Sequence, residues 1–479
     1  MSNGRAGLAR VLGRFDLTLF LIAALVNLNS VPVVAGIGPA ALLFWALGFF
    51  LFFVPATVAV LELSHRDPEE GGIYRWTKTA FGDFHGFLSG WAYWTNNIFY
   101  VPTLLLYMIA FATFIGGEST AGIGDNQAVV VPLALVLLWV ITALNILGLG
   151  VSKWIQNIGA IGTFLTAALI FGIGFGSMKL HGMANEISVG AVTAQLGDWR
   201  TLALLSVVCL NYVGVELGSI IGDELKHPRR DIPRAAVVAG LATFLLYFMT
   251  TFSLQAAIPA GEIGIIDGIL QGVKHVVSEL DVAWLLPPIA LLMTFNAAGN
   301  TSAWLSGSAR IPFVVGLDRY LPAALGKVHP RYHTPHVALI VQGIASSVFI
   351  LVNSVGASVQ EVYMILLQTT IILQLIPYLY MFGSLVAIRR RAEREGGEAG
   401  YFRRAAVCYA AAVVGGLMTL AGILFAFLPP AGVEDVLGFE IKTVVGSLGL
   451  MLPALLIFRW RARKARAGAM LPKPVELAE

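Results

Sequence analysis

The sequence predicts an all-α integral membrane protein with about twelve transmembrane helices. Of its 479 residues, 57% are hydrophobic and only 12% are charged, about half the charged fraction that is usual in soluble domains. Uncharged stretches recur along the chain, at about the 20 residues that a helix needs to cross a bilayer. These observations exclude a soluble multidomain enzyme, and the net charge of +3 gives no support for nucleic-acid binding.

The spans follow from the gaps between charged residues. No charged residue lies between Asp16 and Glu62, a distance too long for one span. Because prolines and glycines at residues 32–39 interrupt it, we predict two helices there, α1 and α2. Ten more helices, α3 to α12, are predicted in chain order at residues 84–117, 127–152, 154–178, 201–222, 235–261, 282–309, 336–360, 362–388, 405–433 and 443–458.

The 31 lysines and arginines are distributed unevenly between the two sides of the predicted membrane. With the amino terminus inside, the loops on the opposite side hold only Lys179, Arg200, Lys274 and Lys442. Because cytoplasmic loops retain basic residues, this asymmetry places both termini in the cytoplasm and favours an even number of spans. We therefore predict a multi-pass protein of the cell (inner) membrane.

Two predicted helices carry polar and helix-breaking residues in the middle of the membrane. Residues 27–32 of α1 are Asn-Leu-Asn-Ser-Val-Pro, and residues 211–218 of α6 are Asn-Tyr-Val-Gly-Val-Glu-Leu-Gly. Backbone groups in lipid need partners, so such segments are expected to unwind where they face a cavity. Because α1 and α6 each begin a set of five helices, the paired breaks indicate inverted repeats with a binding site between them.

Glu216 is the only formal charge between Arg200 and Asp223. An acid inside a span costs on the order of 2.5–3.5 kcal/mol, so its presence requires a reason. In one interpretation, Glu216 couples substrate or proton occupancy to the state of a gate. In the other, it is a buried acid that caps the broken helix or bonds a neighbouring helix. The two interpretations are compatible.

The remaining polar residues point to no catalytic chemistry. Cys209 and Cys408 lie inside apolar runs and are predicted to be packing residues. The sequence has no Walker loop, zinc signature or nucleophile elbow, so we predict no enzyme activity, no cofactor and no bound metal. Polar side chains of α3 and α10 are either interhelical hydrogen-bond partners or the lining of a permeation path; they are Tyr93, Asn96, Asn97, Tyr100, Gln368, Thr369, Gln374 and Tyr378.

Three blocks of sequence occur in a specific order. The first is Pro-Glu-Glu-Gly-Gly-Ile-Tyr-Arg-Trp at residues 68–76, followed by Gly-Trp-Ala-Tyr-Trp at 90–94. The second is Tyr-Val-Gly-Val-Glu at 212–216 with Glu-Leu-Lys-His-Pro-Arg-Arg-Asp-Ile-Pro at 224–233, and the third lies within 304–335 and includes Leu-Asp-Arg-Tyr-Leu-Pro at 317–322. Together they resemble the amino acid–polyamine–organocation (APC) permeases over most of residues 15–390, and they look most similar to the glutamate/GABA antiporter branch.

The resemblance implies the fold known from LeuT, which has five-plus-five inverted repeats, here followed by two extra helices. The chain would then be a single transmembrane transporter domain over residues 1–479. Repeat 1, α1 to α5, would cover residues 15–178, and repeat 2, α6 to α10, residues 199–390. Helices α11 and α12 would occupy 404–461, with a cytoplasmic tail at 462–479.

The resemblance also implies where the substrate binds. An amino acid or amine would lie at the breaks of α1 and α6, where half-helix ends attract its carboxylate and ammonium groups. The implied substrate-binding residues are Asn27, Asn29, Ser30, Asn97, Asn211, Tyr212, Gly214 and Trp304, and those implied in gating or coupling are Glu216, Trp304 and Tyr378. For Trp304, plain packing among small residues is the alternative.

The chain departs from the family pattern at three places. Helix α1 lacks the Gly-Ser-Gly pattern that is common in the family, and Leu210 stands where arginine/agmatine exchangers carry a tryptophan. Thr163, eighteen residues past Asn145, stands where proton-coupled importers carry a lysine. The resemblance therefore implies a secondary active exchanger of amino acids or amines. A proton-coupled importer and a channel-like bundle with continuous α1 and α6 are the alternatives, and no oligomeric state is predicted.

Overall fold

The computed structural model is helical almost throughout the residues that it describes. These are residues 8–68, 70–117, 120, 122–197, 199–263, 269–270, 273–274, 277, 281–318, 320–353, 359–396, 400–428 and 436–466. Residues 467–479 of the predicted tail lie outside them. Within this part of the chain, nine helices are long and apolar enough to cross a membrane.

Helix α8 and two helices with shorter apolar stretches, α6 and α9, bring the set to twelve, in agreement with the predicted fold class. Two of the twelve are broken, and their halves are named a and b. The bounds are α1a Arg14–Leu25, α1b Val31–Ala35, α2 Ala40–Arg66, α3 Asp83–Thr113, α4 Gln127–Ile146, α5 Leu149–His181, α6a Leu205–Asn211, α6b Leu217–Ile220, α7 Pro228–Ala257, α8 Leu286–Leu317, α9 His336–Asn353, α10 Val359–Arg394, α11 Ala405–Phe425 and α12 Val436–Arg466.

The breaks in α1 and α6 lie at the predicted segments, and local sequence produces both. In α1, the Asn27 side chain accepts a hydrogen bond from the Asn29 amide at 3.3 Å, and Ser30 Oγ donates to the Asn27 carbonyl at 2.8 Å. These side chains compete with the helical hydrogen bonds of the backbone. In α6, Gly214 has a φ of 134°, a conformation that a residue with a Cβ adopts only with strain.

The packing of the long helices arranges the two breaks around one centre. Helix α8 packs against α3 and α5, α1 packs against α7 and α5, and α3 also packs against α10. The third helix of each set of five thus contacts the fifth helix of the other set. The residue boundaries of the two repeats remain a prediction.

Several helix ends differ from the positions that charge spacing predicted, and two of them show the physical reason. Helix α8 continues past Arg310 to Leu317, because the arginine is buried against acidic partners instead of ending the span in solvent. The turn between α4 and α5 falls at Gly148, which has a φ of 107°, and Lys153 lies inside α5, where it pairs with Asp16 at 3.1 Å. Charged residues that have a partner therefore lie within helices. The helices predicted from the spacing of charges were too short at these two places.

Candidate functional site

Two adjoining cavities lie where the broken helices meet. The polar and aromatic lining of the inner cavity consists of Asn27, Asn96, Tyr100, Asn211, Trp304 and Gln374. The outer cavity shares Asn27, Tyr100 and Asn211 with it and adds residues further along α1 and α3, among them Ser30 and Tyr107. A compartment with few polar groups on a mostly apolar wall is the usual form of a small-molecule site.

Asn27 and Asn211 join the two breaks across this compartment. Ser30 Oγ donates to Asn211 Oδ1, and the Asn27 side-chain amide donates to the Tyr100 hydroxyl at 3.2 Å. The Tyr247 hydroxyl of α7 accepts from the Asn27 backbone amide at 2.9 Å and donates to the Leu25 carbonyl at 2.7 Å. The unwound backbone is therefore held by side chains of neighbouring helices, as burial in an apolar medium requires.

Helix α8 supplies three N–H donors to the carbonyl end of α1a. Trp304 Nε1 donates to the Ala24 carbonyl at 2.9 Å, and Asn300 donates to the same carbonyl at 3.3 Å. Asn296 donates to the Val26 carbonyl at 3.4 Å. Neutral side chains thus satisfy the carbonyl groups that the break exposes.

Trp304 forms one wall of the inner cavity. Its side chain is only 3% exposed, and its ring meets that of Tyr100 edge to face at a centroid distance of 5.4 Å. A Cβ placed on Gly214 would lie 3.5 Å from the indole, which is an ordinary contact distance, so the glycine is required here by its φ of 134° and not by the space beside this ring. The tryptophan is held at one edge by its N–H hydrogen bond, and its ring borders the cavity. This arrangement agrees with both interpretations of Trp304, a movable wall of the cavity and a packing residue.

Glu216 holds three helices together beside the inner cavity. Its Oε1 accepts a hydrogen bond from the Tyr93 hydroxyl of α3 at 2.9 Å. Its Oε2 accepts from the Tyr378 hydroxyl of α10 and from the Gly214 amide at 3.0 Å. The Gly214 amide also donates to Tyr378 at 3.1 Å, and the Glu216 side chain is fully buried. The structure therefore brings Tyr93 and Tyr378, from two distant parts of the sequence, to the segment that holds Gly214 and Glu216.

A second buried charge cluster lies nearer to the face that carries the first described residues, predicted to be cytoplasmic. Arg310 Nη2 contacts both Glu224 oxygens, at 2.6 and 2.7 Å, and Arg310 Nε lies 3.3 Å from Glu70. The Glu224 carbonyl accepts from the Leu12 amide at 3.2 Å. Two layers thus separate the cavities from this face.

In this second layer, Arg310 lies beside two carboxylates, those of Glu70 and Glu224. Burial and the neighbouring Glu224 carboxylate raise the pKa of Glu70 well above its ordinary value of 4.5, and Arg310 opposes the shift. Glu224 takes the bidentate contact with the guanidinium, so Glu70 is the less strongly paired of the two acids.

Four of the implied substrate residues line neither cavity, and Gly214, beside Glu216, is one of them. Asn29 is buried beside the break, and Asn97 donates to the Tyr93 carbonyl of its own helix at 2.8 Å. Tyr212 points to α2, where its hydroxyl donates to the Trp45 carbonyl at 3.1 Å. Asn27, Ser30, Asn211 and Trp304 do border the cavities.

Thr163 lies beside the α1 break. Its hydroxyl accepts from the Asn296 amide and donates to the Gly159 carbonyl at 2.9 Å. A neutral hydrogen-bonded pair therefore stands where importers of the resembled family carry a lysine.

Tyr247, Asn296 and Asn300 form hydrogen bonds to the backbone at the α1 break, although none of them was predicted as a site residue. The sequence contains a pattern from which two of them could have been predicted. Asn296 and Asn300 lie four residues apart in an apolar span and hence on one helix face. Tyr247 carries no such pattern, because a single tyrosine in a span is common.

Comparison with known proteins identifies the family. The family model described as amino acid permease matches residues 12–445. A probable agmatine/putrescine antiporter of Lactococcus lactis is 24% identical over 78% of this chain and 79% of its own length. A glutamate/gamma-aminobutyrate antiporter of the same species is 22% identical over 81% of this chain and 78% of its own length.

A solved structure supports the fold. MhsT in complex with L-phenylalanine aligns with a TM-score of 0.61 at 12% identity, over 94% of this chain and all of that one. The likeness confirms the LeuT-type fold that the sequence resemblance implied.

Proposed function

This chain belongs to the amino acid permease family, and from that premise we propose that it is a secondary active exchanger of amino acids or their decarboxylated amines. It is a multi-pass membrane transporter of small molecules and not an enzyme. Two relatives, a probable agmatine/putrescine antiporter and a glutamate/gamma-aminobutyrate antiporter, support exchange as the mode of transport. The substrate would pass between the two sides by alternating access.

The observation that carries the proposal is the meeting of two broken helices at one buried compartment. We assign Asn27, Ser30, Asn211 and Trp304 to direct substrate contact, since they border the cavities. Asn29, Asn97, Tyr212 and Gly214 would act by shaping the breaks and the helices behind them. A channel-like bundle with continuous α1 and α6 does not fit, because both helices are interrupted.

Glu216, Tyr378 and Trp304 would form the gate. The three hydrogen bonds to Glu216 hold α3, α6 and α10 together on one side of the cavities, so this side opens only when those bonds are exchanged for others. Substrate beside Trp304 would lie next to this cluster. Its binding would therefore act on the hydrogen bonds of the gate at short distance. Alternating access requires such a reversible barrier near the middle of the membrane.

Exchange is favoured over proton-coupled import by the neutral pair of Thr163 and Asn296. Neither side chain titrates near neutral pH, so this position cannot store or release a proton. The excess of lysine and arginine in one set of loops supports an orientation with both termini in the cytoplasm. The protein would then lie in the inner membrane of the cell.

Transport by the purified full-length protein in liposomes tests the proposal. Vesicles preloaded with an amino acid should take up the labelled external amino acid with saturation, and empty vesicles should not. Equal uptake into both would exclude obligatory exchange, and uptake driven by an imposed pH gradient into empty vesicles would favour the importer. Flux that rises linearly with concentration would favour a channel.

A further inference from the structure

A chain of hydrogen bonds runs from the inner cavity to Glu216. Asn96 of α3 and Gln374 of α10 line the cavity, and Asn96 Nδ2 donates to Gln374 Oε1. The Gln374 side-chain amide hydrogen-bonds the Tyr93 hydroxyl oxygen, and this hydroxyl donates to Glu216 Oε1 at 2.9 Å. All four side chains are at most 1% exposed, so the chain is shielded from bulk solvent.

The carboxylate at one end sets the direction of this chain. A carboxylate only accepts hydrogen bonds, so Tyr93 gives its single proton to Glu216, and its oxygen accepts from Gln374 Nε2. Gln374 Oε1 then faces Asn96, which donates Nδ2. At the other end, Asn96 Oδ1 has no hydrogen-bond partner among the described residues. The chain therefore ends in an acceptor on a side chain that borders the compartment.

The same side chains can also form the chain in the opposite direction. If the Tyr93 hydroxyl turns its proton to Gln374 Oε1, Gln374 Nε2 donates to Asn96 Oδ1, and Asn96 Nδ2 is left at the compartment. In that state, Tyr93 gives up its hydrogen bond to Glu216. A substrate group that bonds Asn96 favours one of the two directions, and it therefore biases the contact that ties α3 to the break of α6.

We propose that Asn96 and Gln374 are positioning residues that couple occupancy of the compartment to the Glu216 gate. The inference rests on the proposed exchange function and adds the contacts through which a bound substrate acts on the gate. The hydrogen-bond donors to Glu216 in the described part of the chain are Tyr93, Tyr378 and Gly214, so any effect of the two amides passes through Tyr93. Coupling of this kind requires an element with two states that both sites bias, and the reversible chain is such an element.

The labelling of a cysteine beyond the gate measures this coupling. Ser219 of α6b is 1% exposed and lies between Glu216 and the second layer. Because the two native cysteines, Cys209 and Cys408, are buried, they can be replaced by alanine, and Ser219→Cys then supplies the single thiol for an impermeant maleimide. An equimolar mixture of the protein amino acids, putrescine and γ-aminobutyrate should raise the labelling rate at least about fivefold, the lower end of ordinary coupling between sites.

Variants of the chain separate coupling from binding. Gln374→Met replaces the amide by a side chain of similar length that cannot form its hydrogen bonds. The mixture should still bind at saturating concentration, measured as a rise in thermal stability, but it should change the labelling rate less than about twofold. Asn96→Leu cuts the chain at its other link and should have the same effect, so the test remains valid if Gln374→Met does not fold.

Gln342→Met is the matched control. Gln342 of α9 is also a buried glutamine, and it is absent from the lining of both cavities. This variant should keep the full response of the labelling rate to the mixture.

A purely structural role for the two amides makes a different prediction. In that case, Gln374→Met and Asn96→Leu would lower thermal stability, and their folded fraction would keep the full labelling response. A retained response in either variant therefore contradicts the inference, and so does the same loss of response in Gln342→Met. Loss of binding itself would make the amides direct substrate ligands and would also overturn the proposed coupling.

Failure of the coupling and failure of the exchange function are distinguishable. Absence of a labelling response in the wild-type protein would overturn the coupling even where liposomes show exchange. If the wild-type protein responds although empty and preloaded vesicles take up substrate equally, the exchange function is overturned and the coupling stands.

Discussion

The Tyr93 hydroxyl donates a hydrogen bond of 2.9 Å to Glu216 Oε1, and this contact ties α3 to the break of α6. Tyr378 of α10 donates to the other oxygen of the same carboxylate. One side chain therefore accepts hydrogen bonds from two further helices at a position between the cavities and the predicted cytoplasmic face. Movement of any of these helices away from α6 must break at least one of these bonds.

Replacing the carboxylate by an amide should weaken the gate. In Glu216→Gln, one oxygen that accepts a hydrogen bond becomes a donor, so either Tyr93 or the pair Tyr378 and Gly214 loses its acceptor. A hydrogen bond to a charged group contributes about 1.5–3 kcal/mol, and we expect exchange to slow roughly tenfold, with less pH dependence and only a small change in affinity. Exchange rates and substrate binding measured on the same preparation check this.

Two outcomes would decide against a coupling role for Glu216. If Glu216→Gln lost binding by several orders of magnitude, the carboxylate would be a direct substrate ligand. If the variant exchanged at the wild-type rate at every pH, Glu216 would serve structure alone. Glu262→Gln is the control, since that carboxylate is exposed and lies far along the chain from the gate.

Trp304 should be needed for transport more than for stability. Its ring borders the cavity and its N–H bonds the Ala24 carbonyl, so Trp304→Leu removes both the wall and the bond. We expect exchange to fall roughly tenfold or more as the seal is lost, with thermal stability close to wild type. Trp304→Phe keeps a ring and should retain part of the activity.

The alternative for Trp304 is packing, and it predicts the reverse pattern. A fully packed tryptophan replaced by a smaller residue costs about 3–5 kcal/mol of stability. Strong destabilisation of purified Trp304→Leu, with normal exchange by the folded remainder, would move the gate to Tyr378 or Tyr212. Thermal unfolding and exchange measured together distinguish the two cases.

Transport should not depend on a titrating group at position 163. The Thr163 hydroxyl is neutral and its partner Asn296 keeps a second acceptor, the Val26 carbonyl at 3.4 Å. Thr163→Ala should therefore leave the pH profile of exchange unchanged, because a hydroxyl has no pKa near neutral pH. A marked shift of the profile in this variant would place a proton site on α5.

Glu70 should make the stability of the protein depend on pH. Its raised pKa means that the folded protein keeps a proton that the unfolded chain has released once the pH exceeds the ordinary value of 4.5. The free energy of unfolding should therefore fall as pH rises from 4.5 to the raised pKa, by up to about 1.4 kcal/mol per pH unit for one proton. Thermal unfolding in detergent across this window measures the slope.

The variant Glu70→Gln removes this titration and should flatten the slope. It also leaves the ion pair between Arg310 and Glu224 at 2.6 Å in place. The exposed Glu262 again provides the control, and Glu262→Gln should keep the wild-type slope. A slope that is identical in wild type and Glu70→Gln would mean that another group titrates.

Charge spacing and helix-breaking residues predicted much of the fold. Twelve spans and the breaks at residues 27–32 and 211–218 follow from local composition, since a single helix must satisfy its own backbone in lipid. Local spacing misplaced helix ends where charges are paired, as at Arg310 with Glu224 and at Lys153 with Asp16. A span predicted from uncharged stretches ends at any charged residue. The stretch itself does not show whether another helix supplies a partner for that charge.

The candidate site was likewise predicted in part from the sequence and decided in part by the tertiary structure. The sequence by itself pointed to Asn27, Asn211 and Glu216, because polar residues inside a span cost free energy unless they have partners. Tertiary structure decided which side chains meet: Asn96 with Gln374, 278 positions apart, and Glu216 with Tyr378, 162 positions apart. Successive residues of a helix point about 100° apart, so contacts depend on the rotation and packing of whole helices, which only the complete bundle fixes.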